Sequence, residues 1–142
     1  APAGPARPPE PPPPPFANQR RVYGVVYDLE TLRPVAGARV LIAPRAGGAG
    51  QEQVTDRDGH YLADLFREQF AAGQLVSVSA PGYRPGQLEE SGSPYRERSL
   101  ESRRATLEET TDSDLEPTLL KASDDGGLVP FDLVVLPERA PR

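Results

Sequence analysis

Apolar and polar positions alternate with a period of two over much of the chain, and short turn signals separate the alternating runs. Val76 and Val78 alternate with Ser77 and Ser79, which predicts a strand over residues 75–80 with one buried and one wet face. Ala38, Val40 and Ile42 fall on one face of a predicted strand over 38–43, with Arg39 and Leu41 on the other. Residues 20–28 concentrate Val22, Tyr23, Val25, Val26 and Tyr27, and this β-branched and aromatic density predicts the first strand. Gly24 interrupts it and predicts a bulge or the close approach of another strand. Predicted strands over 51–55 and 60–64 flank Asp56-Arg57-Asp58-Gly59, a short polar loop closing on glycine, which signals a hairpin. Residues 129–136 form a dense apolar run, broken by Pro130 and Asp132, that should close a sheet.

Between these runs the pattern weakens. Residues 28–37 read as a turn region, with Pro34 fixing φ and Gly37 suited to positive φ. A short helix is conceivable over 65–72, but Gly73 soon ends it, so a loop or single turn placing Phe66 and Phe70 in the core is expected. Residues 84–128 fit no compact sandwich pattern, and so long a connection is usually either functional or without fixed structure. Within it, residues 95–111 could be a helix, since Leu100 and Leu107 are seven apart, but the apolar stripe is thin. Thr118-Leu119-Leu120 predicts a short edge strand. Two readings of this insert stay open: a solvated, partly ordered excursion, which the thin stripe favours, or a docking surface built on Tyr95, Arg96, Arg98, Leu100, Arg103 and Arg104.

Composition sharpens the picture at the ends. The chain has 142 residues, 18 prolines and 13 glycines, and nine of the prolines lie in the first fifteen positions. Pro11, Pro12, Pro13, Pro14 and Pro15 must be polyproline II, because proline fixes φ and lacks a donor. Fifteen such residues reach ~45 Å. They suit a stiff spacer, or a ligand for an aromatic-lined groove on a partner. The organisation expected is therefore a proline-rich tail over 1–19, a folded domain over 20–137 with its insert at about 84–128, and a C-terminal tail over 138–142.

With no cysteine, there is no disulfide framework, thiolate metal site or cysteine nucleophile. Such a composition suits an exported protein. The sequence also has no methionine, which is expected where a signal peptide or membrane anchor has been removed, or where the chain is cut from something longer. Periplasmic, outer-surface or secreted localisation follows as an expectation. No apolar run approaches the ~20 residues that span a bilayer. Fifteen of the sixteen basic residues are arginine, as in proteins from GC-rich, bacterial genomes. The net charge of −5 argues against a nucleic-acid partner.

Two phrases carry a family resemblance. One is Gly24-Val25-Val26-Tyr27-Asp28 followed by Pro34-Val35-Ala36-Gly37-Ala38; the other is Thr55-Asp56-Arg57-Asp58-Gly59-His60-Tyr61 followed by Pro81-Gly82-Tyr83. Together they resemble the carboxypeptidase regulatory-like domain over roughly residues 21–83, with residues 129–136 as its end. The resemblance implies an all-β fold: a small antiparallel Ig-like or transthyretin-like sandwich, here with a proline-rich N-terminal extension and a long acidic insert before the last strand. It implies an accessory module of secreted peptidases, outer-membrane transporters or bacterial surface proteins, which binds, spaces or stabilises. The opening phrase also looks like intradiol dioxygenases, which hold iron with two histidines and two tyrosines. His60 is the single histidine, so that site is not expected here.

Little else suggests chemistry. Asp56 and Asp58 could hold calcium, but the further spaced oxygens of a calcium loop do not follow. There is no phosphate-binding glycine loop and no nucleophile elbow. The expectation is a chain that is not an enzyme and needs no cofactor. It would act through protein–protein contacts as a structural or interaction module of a bacterial envelope or extracellular protein, within a larger surface assembly. The alternative is a carbohydrate- or peptidoglycan-binding accessory module. The absence of tryptophan and the presence of only five tyrosines weaken that alternative, because glycan sites use aromatic platforms.

Overall fold

The computed structural model describes residues 10–89, 95–111, 115, 117–120 and 127–138. The chain is an all-β sandwich of two sheets. Its strands are β1 (Gln19–Asp28), β2 (Arg39–Pro44), β3 (Gln51–Val54), β4 (His60–Phe66), β5 (Gln74–Ser79), β6 (Leu88–Glu89), β7 (Thr118–Leu119), β8 (Leu128–Pro130) and β9 (Leu133–Val135). Among the described residues two α-helices accompany them, α1 (Arg67–Ala72) and α2 (Leu100–Glu109). One sheet runs β4-β1-β9-β6 with β8 also on β1; the other runs β3-β2-β5-β7. Each predicted strand is present to within one or two residues, except that the run over 129–136 is divided into β8 and β9, and Thr118–Leu119 lies at a sheet edge.

The core follows from the period of two. Val22 and Val26 of β1, Tyr61, Ala63 and Leu65 of β4, Val40 and Ile42 of β2, and Val76 and Val78 of β5 meet between the sheets. Each Val, Leu or Ile among them, fully buried, contributes about 1.5–3 kcal/mol. Arg39 and Leu41 point the other way and remain exposed. Pairing is mainly antiparallel, with one departure: β8 and β9 run parallel to β1. The last strands therefore add beside the first instead of closing as a hairpin partner.

The break that Pro130 and Asp132 foretell is a local rearrangement. The β1 ladder skips Phe131 and Asp132, although the register is the same on either side. Val25 N–H donates to Asp132 Oδ1 at 3.0 Å instead of to a backbone carbonyl. The freed Phe131 carbonyl accepts from the buried Tyr61 hydroxyl. It lies over Gly24, where a Cβ would sit 2.0 Å from that oxygen. Gly24 is thus required by a close backbone approach, as its position in a strand suggests.

Two expectations change. The stretch 65–72 is not a loop: α1 forms over Arg67–Ala72, Gln69 Oε1 accepts from Phe66 N–H at 2.9 Å, and Gly73 at φ 96° ends the helix. Phe70 packs on the core, but Phe66 is the outward-facing last residue of β4 and is 51% exposed. The insert, expected as a solvated excursion, contributes a second apolar cluster. Leu107 and Leu115 join Val25, Tyr27, Leu29, Val134 and Leu136 on the outer face of the β1 sheet.

Candidate functional site

The two sequence phrases are knitted into one corner of the sandwich. Thr55 is buried, its hydroxyl donating to Val35 O at 2.6 Å and accepting from Ala38 N–H at 2.9 Å. Asp28 is buried as well: Oδ1 accepts from Glu30 and Thr31 N–H at 2.7 and 3.0 Å, and Oδ2 accepts from the Tyr83 hydroxyl at 2.8 Å. Burial, and then the Asp28 carboxylate, push the Tyr83 hydroxyl well above its ordinary range, so it stays a donor. Burial pushes Tyr61 up too, with the charge of Asp132 adding to it. The residues that carry the family resemblance are accordingly occupied in holding the fold together.

At this corner the hairpin brings Asp56, Asp58 and His60 together, one potential ligand atom from each lying within 4.8 Å of the others. Asp56 Oδ1 accepts from Asp58 N–H at 2.9 Å and from His60 N–H at 3.0 Å. These are the bonds of a side-chain-mimicked turn, and they account for the placement of Asp56 without an ion. The remaining oxygens and the ring nitrogen could offer a divalent cation three ligand atoms, two of them from exposed carboxylates.

The proline-rich segment lies beside this turn. Pro13 O accepts from Arg21 Nη1 at 2.7 Å, while Arg21 Nε and Nη2 hold Asp64 in a fork at 2.8 and 3.1 Å. Pro12 and Glu10 wall a hollow of about 350 Å³ with Tyr23, Leu62, His60 and Val54, so the hollow reaches β3 at the edge of the other sheet. The tail residues 10–15 therefore lie back along the outer face of the β1 sheet. Of the five prolines singled out, Pro12 and Pro15 are half-buried and Pro11, Pro13 and Pro14 are exposed.

The insert residues singled out for docking largely face inward. Tyr95 packs on the Leu107 cluster. Arg96 lies 5.4 Å over the Tyr27 ring with Nη2 3.7 Å from Asp132, and Arg98 lies 4.8 Å over the Tyr95 ring. Arg103 is buried, donating through Nη1 to the carbonyls of Leu29 and Glu30. Arg104 pairs with Glu30 at 3.5 Å on the surface, and Leu100 is half-exposed. Sequence reasoning missed Gln87, which is buried and whose amide bonds Val76 O at 2.8 Å and Val78 N at 3.0 Å, standing in for a strand beside β5.

Sequence reasoning also missed the difference between the outer faces of the two sheets. On the β2 sheet, the strand registers align Arg39 with Val54 and Ser79, Leu41 with Glu52 and Ser77, and Ala43 with Leu75, which in turn faces Leu119. Val54 is 61% exposed, Leu41 39% and Leu119 37%. Among the described residues no helix lies across them. The exposed Leu41 was visible in the alternation as an apolar residue among outward-facing ones.

No family model and no curated protein matches the sequence. Among solved structures, the chain is similar to catechol 1,2-dioxygenase of Acinetobacter radioresistens. The wild-type enzyme matches at TM-score 0.46 and 14% identity over 87% of this chain and 53% of that one. Two of its single-residue variants match at TM-score 0.47, with 16% and 17% identity, over 89% of this chain and 55% of theirs. The chain thus spans about half the length of these enzymes. The comparison overturns the expectation that the chain is not an enzyme, since the structures it matches are enzymes. At these TM-scores and identities the likeness assigns no reaction to this chain.

Proposed function

We propose that the chain acts through protein–protein contacts, as an interaction module of the carboxypeptidase regulatory-like kind in a bacterial envelope or extracellular protein. The observation that carries this reading is the bare outer face of the β2 sheet, where Leu41, Val54 and Leu119 are exposed in neighbouring rows. Leu41, Val54 and Leu119 lie among Arg39, Glu52 and the serines of β5, and an exposed apolar patch with a polar rim is a mark of contact surfaces. Arg39, which pairs with Glu52 at 3.7 Å on this face, gives the apolar positions a charged rim. The cysteine-free composition supports an exported setting. No helix among the described residues is long and apolar enough to cross a membrane.

The test is a pull-down from envelope extract with the full chain and with a Leu41→Asp/Val54→Asp variant. The variant is expected to lose the retained partner while keeping its thermal midpoint. Unchanged retention by the variant, or retention of the full chain on a glycan column in place of any protein, would overturn the reading.

A further inference from the structure

At the end of the sandwich where β1 begins, a cavity of about 500 Å³ opens. Its inner wall is apolar, made by Phe70, Leu119, Leu120 and Val129. Its outer wall carries Arg20, Arg45 and Arg67. These three come from separate places: the start of β1, the turn after β2 and the first position of α1. The turn after α1 helps to fix one of them. Arg45 N–H donates to Gly73 O at 3.0 Å, and a Cβ on Gly73 would lie 3.6 Å from the Arg45 stem.

The charge here runs against that of the whole. The chain carries −5 overall, yet no carboxylate is among the described walls of this cavity. Among the described residues, neither Arg45 nor Arg67 has an ion-pair partner, and both are exposed. Like charges gathered at one mouth repel, and an anion relieves that repulsion. A guanidinium offers a planar fork that matches a carboxylate. Charge alone would suit any small anion, and the apolar wall alone would suit any neutral hydrocarbon. Only a ligand with both parts uses the whole cavity, whose size is in the range of small-molecule sites.

We propose that this cavity binds an organic carboxylate with a short apolar body. The head lies between Arg45 and Arg67, and the body lies against Phe70, Leu119 and Val129. The cavity shares Leu119 with the proposed contact face, but Leu41 and Val54, the positions that test the protein-contact reading, do not wall it, so the two can fail separately.

Titration calorimetry on the full chain tests it with octanoate, octanol, acetate and inorganic phosphate. Octanoate is expected to bind at least about tenfold more tightly than each of the other three, because each of them lacks one of the two contacts. An Arg45→Ala/Arg67→Ala variant should lose about tenfold or more in octanoate affinity with an unchanged thermal midpoint. Raising salt should weaken octanoate binding to the native chain. Octanol binding as well as octanoate would overturn the proposal, as would equal binding of acetate or phosphate. So would undiminished octanoate affinity in a variant that melts like the native chain. A variant that melts early is replaced by Arg67→Ala alone, and unchanged octanoate affinity there has the same force.

Discussion

The β1 sheet and the β2 sheet share one core but differ on the side away from it. Outside the β1 sheet, α2 and its flanking residues cover Val25, Tyr27 and Val134, and the proline-rich segment lies beside the nearly buried Tyr23, while Leu62 on the edge strand β4 stays 41% exposed. Outside the β2 sheet, Leu41, Val54 and Leu119 stay exposed. The same period-two alternation produced both sheets, so the difference does not come from strand patterning. It comes from where the chain spends its connections. The part of the insert that carries α2 and the segment before β1 both lie on the β1 side, while the insert gives the β2 sheet the two-residue edge strand β7. A sheet mostly covered on both faces is a scaffold, whereas a sheet with apolar positions exposed on its outer face has surface left for contact.

The comparison can be broken most severely at the centre of the covered sheet. Gly24→Ala would force a methyl group to 2.0 Å from Phe131 O, so β1 and the β8–β9 run could not keep their register. A loss of about 4 kcal/mol or more in urea unfolding is expected, among the larger single-residue effects. A normal midpoint for this variant would show that the close approach is not a constraint. Leu107→Ala comes next, removing the buried anchor of α2 from the outer cluster. It should cost about 3 kcal/mol and raise amide exchange in α2 ahead of the strands. Uniform exchange throughout would mean that the cover and the sandwich are a single cooperative unit.

Tyr61→Phe leaves the turned-in Phe131 carbonyl without its donor. An unsatisfied buried carbonyl costs about 2 kcal/mol, again read by urea. The same hydroxyl gives the covered sheet an alkaline limit. Folding raises the pKa of Tyr61 above its unfolded value, so the folded state holds the proton longer. Stability is then fully present below pH about 10 and falls as pH rises beyond it, with a limiting slope of ~1.4 kcal/mol per pH unit. Tyr83 adds a smaller contribution of the same sign, since it is only half-buried. A melting midpoint that stays flat from pH 9 to 11 would contradict both assignments. Smallest of all, Leu41→Thr on the bare face should change stability by less than about 0.5 kcal/mol. A larger loss there would mean that the β2 sheet does not have a free face.

How much of this was legible in the sequence depends on whether apolar residues did the work. The strands and their buried faces follow from Val, Ile and Tyr at alternating positions, and Gly24 and Gly37 announce their own backbone demands. The covering layer did not follow, because its key positions are polar. In α2, Arg103 takes the place of an apolar residue between Leu100 and Leu107, burying its stem and satisfying its guanidinium on the carbonyls of Leu29, Glu30 and Arg98. The apolar stripe therefore looks thin where the helix is in fact half-embedded. Gln87 hides in the same way, as does Arg21, whose fork to Asp64 also holds the Pro13 carbonyl. The candidate functional features were less legible still. Asp56, Asp58 and His60 are adjacent in sequence, so their grouping could be anticipated, whereas the arginine-walled cavity draws on positions 20, 45 and 67, which only the fold assembles.

The parallel pairing of β1 with β8 and β9 has a mechanical consequence. The chain enters β1 at one end of the sandwich and leaves β9 at the opposite end, with the two strands side by side. Tension applied through the flanking segments therefore runs along the strands and loads their mutual hydrogen bonds in shear, all at once rather than one after another. In single-molecule pulling from the two ends, the domain is expected to yield in a single high-force rupture, and a train of low-force steps would contradict this. A module with that geometry can carry load in series with whatever lies on either side of it.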